Sequence, residues 1–259
     1  MNSINDYFNK YTFLPPIAYG ALRGICVNTL LHPLETIRTR QFLSKKSLNI
    51  YKASAEIFLE NGLKGFYKGY TPSLKRLLWK QIWVWPIITN LPIYLSQKTK
   101  LNPYRSLLIT GLCLASLDSL LKGYEEARIQ AISKSPTMTI EKKFSYGLGT
   151  HWSKLSINWC SFLMSQKYFK EKQLQANVDN TLSMPQLLLI GLKVGAFTSF
   201  ISAPFEVANA WKLGLRKQLP LSLSYACLKQ LCNGLPLSTT KLVIHNIASV
   251  ILLDFLNKK

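Results

Sequence analysis

The sequence predicts an all-α membrane protein in which six helices surround a polar centre. Six apolar segments, each about as long as a helix needs to cross a bilayer, run through the 259 residues. Each segment contains an ionisable residue, and a charge at membrane depth is tolerated where it faces a bundle interior or a water-filled cavity. A charged motif also recurs three times. These observations together predict transmembrane helices in three two-helix repeats around a wet centre.

The apolar segments lie at about 13–31, 77–95, 107–121, 146–164, 186–207 and 235–256. The ionisable residues that interrupt them are Arg23, Lys80, Asp118, Lys154, Lys193, Lys241 and His245. A soluble all-α protein with long amphipathic helices is the alternative interpretation. It is disfavoured because its surface would carry many Trp, Leu and Ile side chains.

The net charge of +20, from 32 Lys and Arg against 12 Asp and Glu, favours an anionic partner. Lipid headgroups and anionic metabolites fit better than nucleic acid, because the basic residues lie at the ends of apolar segments and no nucleic-acid-binding module is recognisable. The five cysteines have no metal-ligand spacing, and no nucleophile–base pair is evident. We therefore expect no metal, no cofactor, no catalytic residues and no enzymatic activity. The N-terminus does not resemble a cleavable signal, so we expect internal targeting information.

The recurring motif places a carboxylate and a base three residues apart, two residues after a proline or glycine. Its three copies are Pro33, Glu35 and Arg38, then Gly123, Glu125 and Arg128, then Pro204, Glu206 and Asn209. A second element follows each copy, with Gly69, Gly147 and Gly234 each seven residues before a base. Three of only 12 acidic residues share one repeat position, which indicates an internal threefold repeat.

With its downstream stretch from Asn61 to Gly69, this motif resembles the signature of the mitochondrial carrier family. The resemblance implies a single carrier domain, residues 1–259, with repeats at about 11–100, 101–176 and 177–259. It implies three pseudo-symmetric two-helix repeats around a central cavity in the mitochondrial inner membrane. It further implies a multi-pass transporter of a small anionic metabolite that works by alternating access.

The resemblance implies that the motif residues form a gate on the matrix side. A proline removes a helical hydrogen bond and kinks the helix, which would draw the odd-numbered helices together. The implied pairs are Glu35 with Arg128, Glu206 with Arg38, and Glu125 with Asn209, which lacks the base. The gate residues are thus Pro33, Glu35, Arg38, Glu125, Arg128, Pro204, Glu206 and Asn209.

The even-numbered helices carry the candidate substrate-binding residues, spaced four apart and so on one helical face. These residues are Arg76, Lys80, Lys154, Asn158, Lys241 and His245. The resemblance places the trio Arg76, Lys154 and Lys241 at the substrate level, where converging bases would attract a carboxylate or phosphate. The alternative is that the lysines extend to the membrane interface. Arg23 and Lys193 lie within small-residue pairs that allow close helix packing. The sequence leaves open whether either side chain also faces the cavity.

The glycine-rich stretch of the first repeat is a candidate lipid site. The resemblance implies that cardiolipin binds at Gly62, Tyr67, Lys68 and Gly69, where helix N-termini would hold phosphate. The alternative is a tight turn with structural glycines.

Departures from the family pattern leave a second function open. The expected outer gate would use Thr89, Lys167 and Asp254 with Pro92, Lys170 and Asn257, and these cannot form an acid–base ring. Erosion of this gate, together with Asn209, favours a carrier homologue that no longer transports. Such a protein would act as a structural subunit of a large inner-membrane respiratory complex, or as an outer-membrane insertion or dynamics factor.

Overall fold

The computed structural model describes residues 14–44, 48–133, 145–175, 182–215 and 225–257, and all regular structure in these ranges is helical. The helices are α1 (Leu14–Leu43), α2 (Ile50–Asn61), α3 (Tyr70–Thr99), α4 (Pro103–Ser119), α5 (Lys122–Ile132), α6 (Leu148–Gln175), α7 (Met184–Ala210) and α8 (Tyr225–Asn257). A 3-10 turn, Gly62–Tyr67, precedes α3, and a π turn, Trp211–Leu215, follows α7. The all-α prediction is therefore correct for the described residues.

Each predicted apolar segment lies mostly within one of the long helices, which generally extend beyond it. Among the described residues, two helical stretches are long and apolar enough to cross a membrane, Met184–Leu213 and Leu235–Leu252. The bent pair α4 and α5 makes a third if it is counted as one span. The outward face of α7 exposes Leu188, Leu192 and Phe200, as expected of a helix surrounded by lipid.

The long helices pack in chain order, and the last also packs against the first. Helix α1 contacts α3, α3 contacts α4, α4 contacts α6, α6 contacts α7, α7 contacts α8, and α8 contacts α1. The largest buried apolar cluster joins α3, α4, α6, α7 and α8 through residues such as Trp85, Leu114, Phe162, Val194 and Val250. Helix α2 packs separately against one end of α1, through Ile57 and Ile37.

A sharp bend occurs in the repeat whose motif has glycine in place of proline. Pro33 and Pro204 lie inside the continuous helices α1 and α7, whereas α4 and α5 meet at 62° around Leu120 and Leu121. At this break the amides of Leu120 and Leu121 donate to carbonyls three residues back, which tightens the chain out of the α-helical pattern. The second repeat therefore bends sharply without a proline at its motif position.

Two aligned glycines start the second helix of the first two repeats. Gly69 and Gly147 have φ of 77° and 68°, in the left-handed region, and α3 and α6 each begin at the next residue. A side chain is strained in this conformation, so glycine is favoured at both positions. Gly234, the third aligned glycine, instead lies inside α8, which begins earlier than predicted, at Tyr225.

Small residues bring α7 and α8 into backbone contact. A Cβ placed on Gly191 would lie 2.6 Å from the Cα of Ile247, and one placed on Gly195 would collide with the Cα of Val243. On α1, Gly20 and Gly24 likewise leave room for a neighbouring helix, here for the side chains of Trp85 and Leu77 of α3. Both small-residue pairs identified in the sequence therefore lie at helix interfaces.

We expect Gly191→Ala to lower the free energy of unfolding by about 1–3 kcal/mol, because the added methyl overpacks against the α8 backbone. Gly149→Ala is the matched control, since Gly149 is helical and exposed and an added Cβ meets nothing within 4 Å. The control should be neutral or stabilising by up to about 1 kcal/mol. Thermal unfolding of the purified protein in mild detergent measures both. An unchanged midpoint for Gly191→Ala would contradict the packing described here.

Candidate functional site

A cavity of about 160 Å³ lies between α1, α3, α5, α6 and α8. One part of its wall is apolar, with Val84, Ile88, Trp159 and Phe162. The rest is rich in basic and amide side chains. Those that line it are Arg23, Asn28, Arg76, Lys80, Gln81, Arg128, Asn158, Lys241, His245 and Asn246, together with the carboxylates of Glu35 and Glu125.

Five of the six predicted substrate-binding residues line this cavity, namely Arg76, Lys80, Asn158, Lys241 and His245. Lys154 is not part of the lining; its amine donates to Glu125 at 3.1 Å. The spacing of four along the even-numbered helices therefore brings most of the predicted residues to a common space. Whether they bind substrate stays a prediction.

Two of the predicted gate pairs lie within ion-pair distance. Arg38 of α1 is 3.1 Å from Glu206 of α7, and Ser238 of α8 donates to the same carboxylate at 2.8 Å. Arg128 of α5 is 3.5 Å from Glu35 of α1. Helix α1 thus holds α5 through its carboxylate and α7 through its guanidinium, at positions only three residues apart.

The third carboxylate of the motif has different partners from those of the other two. Asn209, which stands where the other repeats have arginine, is 1% exposed, and its Oδ1 has no hydrogen-bond partner among the described residues. Glu125 is instead bound by Arg76 at 2.9 Å, by Lys154 at 3.1 Å and by Arg128 of its own helix at 3.1 Å. Bases of α3 and α6 therefore neutralise the carboxylate whose expected partner lost its charge.

The trio predicted at the substrate level is largely engaged with the gate carboxylates. Lys241 donates to Glu35 at 2.6 Å, and Arg76 and Lys154 both donate to Glu125. An approaching anion would have to compete with these carboxylates for the three bases. The sequence pattern did not reveal this competition, because the acids and bases lie on different helices that only the tertiary structure brings together.

Asp118 is a site residue that sequence reasoning recorded only as an interruption of an apolar segment. Its side chain is fully buried and lies 3.0 Å from Arg76 and 3.1 Å from Lys80. A buried unpaired carboxylate is costly, so an acid in the middle of an apolar segment predicts buried basic partners. The sequence could have shown this pairing, because Asp118 and Lys80 each interrupt an apolar segment and each needs a buried partner of opposite charge.

Arg23 and Lys193, which occupied similar small-residue pairs in the sequence, face opposite ways. Arg23 lines the cavity and donates through Nη1 to the carbonyl of His245 at 3.2 Å and to the hydroxyl of Ser249 at 2.8 Å. Lys193 is exposed, with its amine about 6.0 Å from the ring of Phe169. Of these two residues, only Arg23 therefore adds charge to the cavity.

The predicted lipid-binding residues form a turn packed on α1. The His32 imidazole donates to the carbonyl of Lys68 at 3.0 Å and stacks on the half-exposed ring of Tyr67. The amide of Gly62 donates to the carbonyl of Phe58 and so ends α2, and Gly69 adopts its left-handed conformation before α3. This is the tight turn of the alternative interpretation, and a lipid role stays a prediction.

The structure describes the side chains of only some of the predicted outer-gate residues. The Thr89 hydroxyl donates to the carbonyl of Trp85 in its own helix at 2.8 Å, and Lys167 pairs with Glu171 at 2.8 Å. Hydrogen bonds from Lys167 and Tyr104 hold the pKa of Glu171 below its ordinary value. The side chains of Asp254 and Asn257 lie outside the described residues.

We expect Glu125→Gln to destabilise the protein by about 3–5 kcal/mol, because it leaves Arg76, Lys154 and Arg128 buried with less compensating charge. Glu171→Gln is the control, because it removes a carboxylate that is 45% exposed and should cost at most about 1 kcal/mol. Thermal or denaturant unfolding in detergent micelles measures the difference. Equal losses in the two variants would mean that the buried network contributes no more than a surface pair.

Comparison with known proteins gives consistent matches. A family model described as mitochondrial carrier protein matches residues 9–96. A probable mitochondrial adenine nucleotide transporter of Arabidopsis thaliana is 25% identical over 225 residues, which is 73% of this chain and 64% of that protein. A mitochondrial coenzyme A transporter of Xenopus laevis is 34% identical over 65 residues, 24% of this chain and 20% of that protein.

A calcium-binding mitochondrial carrier protein of Xenopus laevis is 33% identical over 57 residues, 21% of this chain and 11% of that protein. The matched regions therefore span between 11% and 64% of these relatives.

Proposed function

Because the chain belongs to the mitochondrial carrier family, we propose that it transports a small anionic metabolite across the mitochondrial inner membrane by alternating access. In this proposal the long helices form three pseudo-symmetric two-helix repeats, α1 with α3, α4 and α5 with α6, and α7 with α8. The closed order of helix contacts and the shared geometry of Gly69 and Gly147 support that arrangement. Members of this family are transporters rather than enzymes.

The observation that carries the proposal is the excess of basic charge around the cavity. Six bases, Arg23, Arg76, Lys80, Arg128, Lys154 and Lys241, face three carboxylates, Glu35, Asp118 and Glu125. In a poorly solvated space this imbalance attracts an anion strongly. A cargo carrying carboxylate or phosphate groups would neutralise part of the excess.

The buried ion pairs give this cargo a means of driving a conformational change. Separating Arg38 from Glu206, or Arg128 from Glu35, leaves charges unpaired at a cost of about 3–5 kcal/mol for each pair broken. Opening on that side therefore requires new partners for the released groups. An anion bound to Arg76 or Lys241 lies next to the network and would rearrange it directly, since both bases already contact its carboxylates.

The relatives' names, adenine nucleotide and coenzyme A transporter, suggest where to begin the search for cargo. Both of those named cargoes are phosphorylated anions, which the excess basic charge around the cavity would attract. We further propose that cardiolipin contacts the turn at Gly62 and Tyr67–Gly69, where basic charge and the N-terminus of α3 lie together.

Uptake into liposomes tests the transport proposal. We expect the purified protein to exchange at least one labelled anion from a panel of nucleotides, phosphate and carboxylates. Lys241→Ala and Lys80→Ala should reduce the initial rate by at least about tenfold, since each removes a base that lines the cavity. Lys193→Ala is the control, and should leave the rate unchanged because Lys193 is exposed and faces away. Absence of uptake across the panel would reject transport.

A structural role is the second candidate, and the uncharged Asn209 and the engagement of Lys167 with Glu171 favour it. In this case the protein would be a subunit of a large inner-membrane respiratory complex, or an outer-membrane insertion or dynamics factor. Extraction in mild detergent followed by native size analysis separates the candidates. A subunit would migrate in fixed stoichiometry with a large complex, whereas a transporter would be recovered free.

A further inference from the structure

We propose that Arg23, together with Asn28, Lys80, Trp159 and Asn246, forms the primary anchoring subsite for a carboxylate or phosphate group attached to an apolar body. The inference deepens the proposed function, on which it rests, because it identifies where the anion is held and what else the ligand must carry. The subsite lies on α1, α3, α6 and α8. Asn28, Trp159 and Asn246 were not predicted from the sequence, which left open whether Arg23 faces the cavity.

Charge availability distinguishes Arg23 from the other bases of the cavity. Lys241 is bound to Glu35, and Arg76, Lys154 and Arg128 are all bound to Glu125. Lys80 shares Asp118 with Arg76. Within the described part of the chain, Arg23 has no carboxylate partner. A ligand can therefore use its charge without displacing a carboxylate of the protein.

Unpaired hydrogen-bond donors surround the same space. Among the described residues that line the cavity, the buried side-chain atoms without a partner are five N–H donors, Arg23 Nε, Asn28 Nδ2, Arg76 Nε, Trp159 Nε1 and Asn246 Nδ2, and one acceptor, Asn158 Oδ1. Asn246 and Trp159 are only 4% and 8% exposed. Buried donors without partners are costly, and a group that only accepts hydrogen bonds satisfies several of them at once.

Arg23 is held in place before any ligand arrives. Its Nη1 is fixed by the His245 carbonyl and the Ser249 hydroxyl, and its guanidinium carbon lies 5.3 Å from the centre of the Trp85 ring. The Asn28 Oδ1 accepts from the Ser73 hydroxyl at 3.2 Å, while its Nδ2 is buried without a partner among the described residues. A donor set fixed in this way loses little conformational entropy on binding.

The apolar wall of the cavity indicates that the ligand carries an apolar body as well as an anionic group. Val84, Ile88 and Phe162 line the cavity on α3 and α6, next to the rings of Trp85 and Trp159. Lys80 already lies 4.7 Å from the centre of the Trp159 ring. A small fully hydrated ion would leave this wall uncovered, whereas an anion with an aromatic or aliphatic body would bury apolar surface against it.

The subsite is separate from the gate carboxylates. Arg23 and Glu35 are twelve residues apart on one continuous helix, which corresponds to a rise of about 18 Å. A ligand anchored at Arg23 therefore reaches the network at Lys241 and Glu35 only through its body or a second charged group.

Matched pairs of anions test this subsite directly. The probes are phosphate against phenyl phosphate, and acetate against phenylacetate, added to the full-length protein in mild detergent while its thermal unfolding midpoint is followed. We expect phenyl phosphate and phenylacetate to raise the midpoint at concentrations at least about tenfold lower than phosphate and acetate do. The reason is that a ligand stabilises the folded protein to a degree set by how far it occupies its site. Arg23→Gln should weaken the apparent affinity by at least about tenfold, and Arg23→Lys by less.

Two further variants keep the test decisive. Asn246→Leu preserves the charge balance and the approximate volume, and it should also weaken binding, so the inference does not depend on Arg23→Gln alone. Lys193→Gln should bind as the unmodified protein does. Equal affinities in the unmodified protein, Arg23→Gln and Asn246→Leu would overturn the subsite, and so would the absence of any shift with all four anions.

Liposome uptake with the same variants distinguishes the subsite from the proposed function. Uptake with a KM unchanged by Arg23→Gln would overturn the subsite and leave transport standing. Binding that depends on Arg23 without uptake of any anion would support the subsite and reject transport.

Discussion

The structure depends on the neutralisation of carboxylates inside a helical bundle. Glu35, Asp118, Glu125 and Glu206 are all at most 9% exposed, and each contacts a base on another helix. A buried carboxylate without such a partner would cost several kcal/mol, so the helices can pack only in arrangements that bring the bases to the acids. Helix α1 contributes most to this requirement, because Glu35 and Arg38 bind α5, α7 and α8 from a single turn.

The same requirement explains how the second repeat differs from the first. Where the motif lost its arginine, at Asn209, the freed carboxylate of Glu125 is bound by Arg76 and Lys154. Two bases that the threefold pattern assigns to the cargo are thereby engaged with the protein itself. In the subsite proposed above, the anionic group is therefore held by residues outside the threefold pattern, above all Arg23.

Bends in the helices follow local hydrogen bonding rather than proline alone. Helices α1 and α7 continue through Pro33 and Pro204, while the second repeat, whose motif has Gly123 in place of proline, breaks between α4 and α5. Asp118 and Glu125 lie on either side of the break. Arg76 contacts both carboxylates, while Lys80 contacts only Asp118, and Arg128 and Lys154 contact only Glu125. Without the bend, the two acids would share a face of one straight helix two turns apart.

The sequence by itself determined the helical class, the positions of the long helices, the threefold motif and its resemblance to the mitochondrial carrier family, because these depend on local apolar periodicity and residue spacing. It also identified five basic or amide residues that line the cavity, since a spacing of four keeps each pair on one helical face. Only the tertiary structure decided which acid neutralises which base, that Asp118 joins the network, and that Arg23 faces inward while Lys193 faces out. Those outcomes depend on the rotation and close approach of helices far apart in the chain, which contacts such as Gly191 against Ile247 fix and which no local pattern encodes.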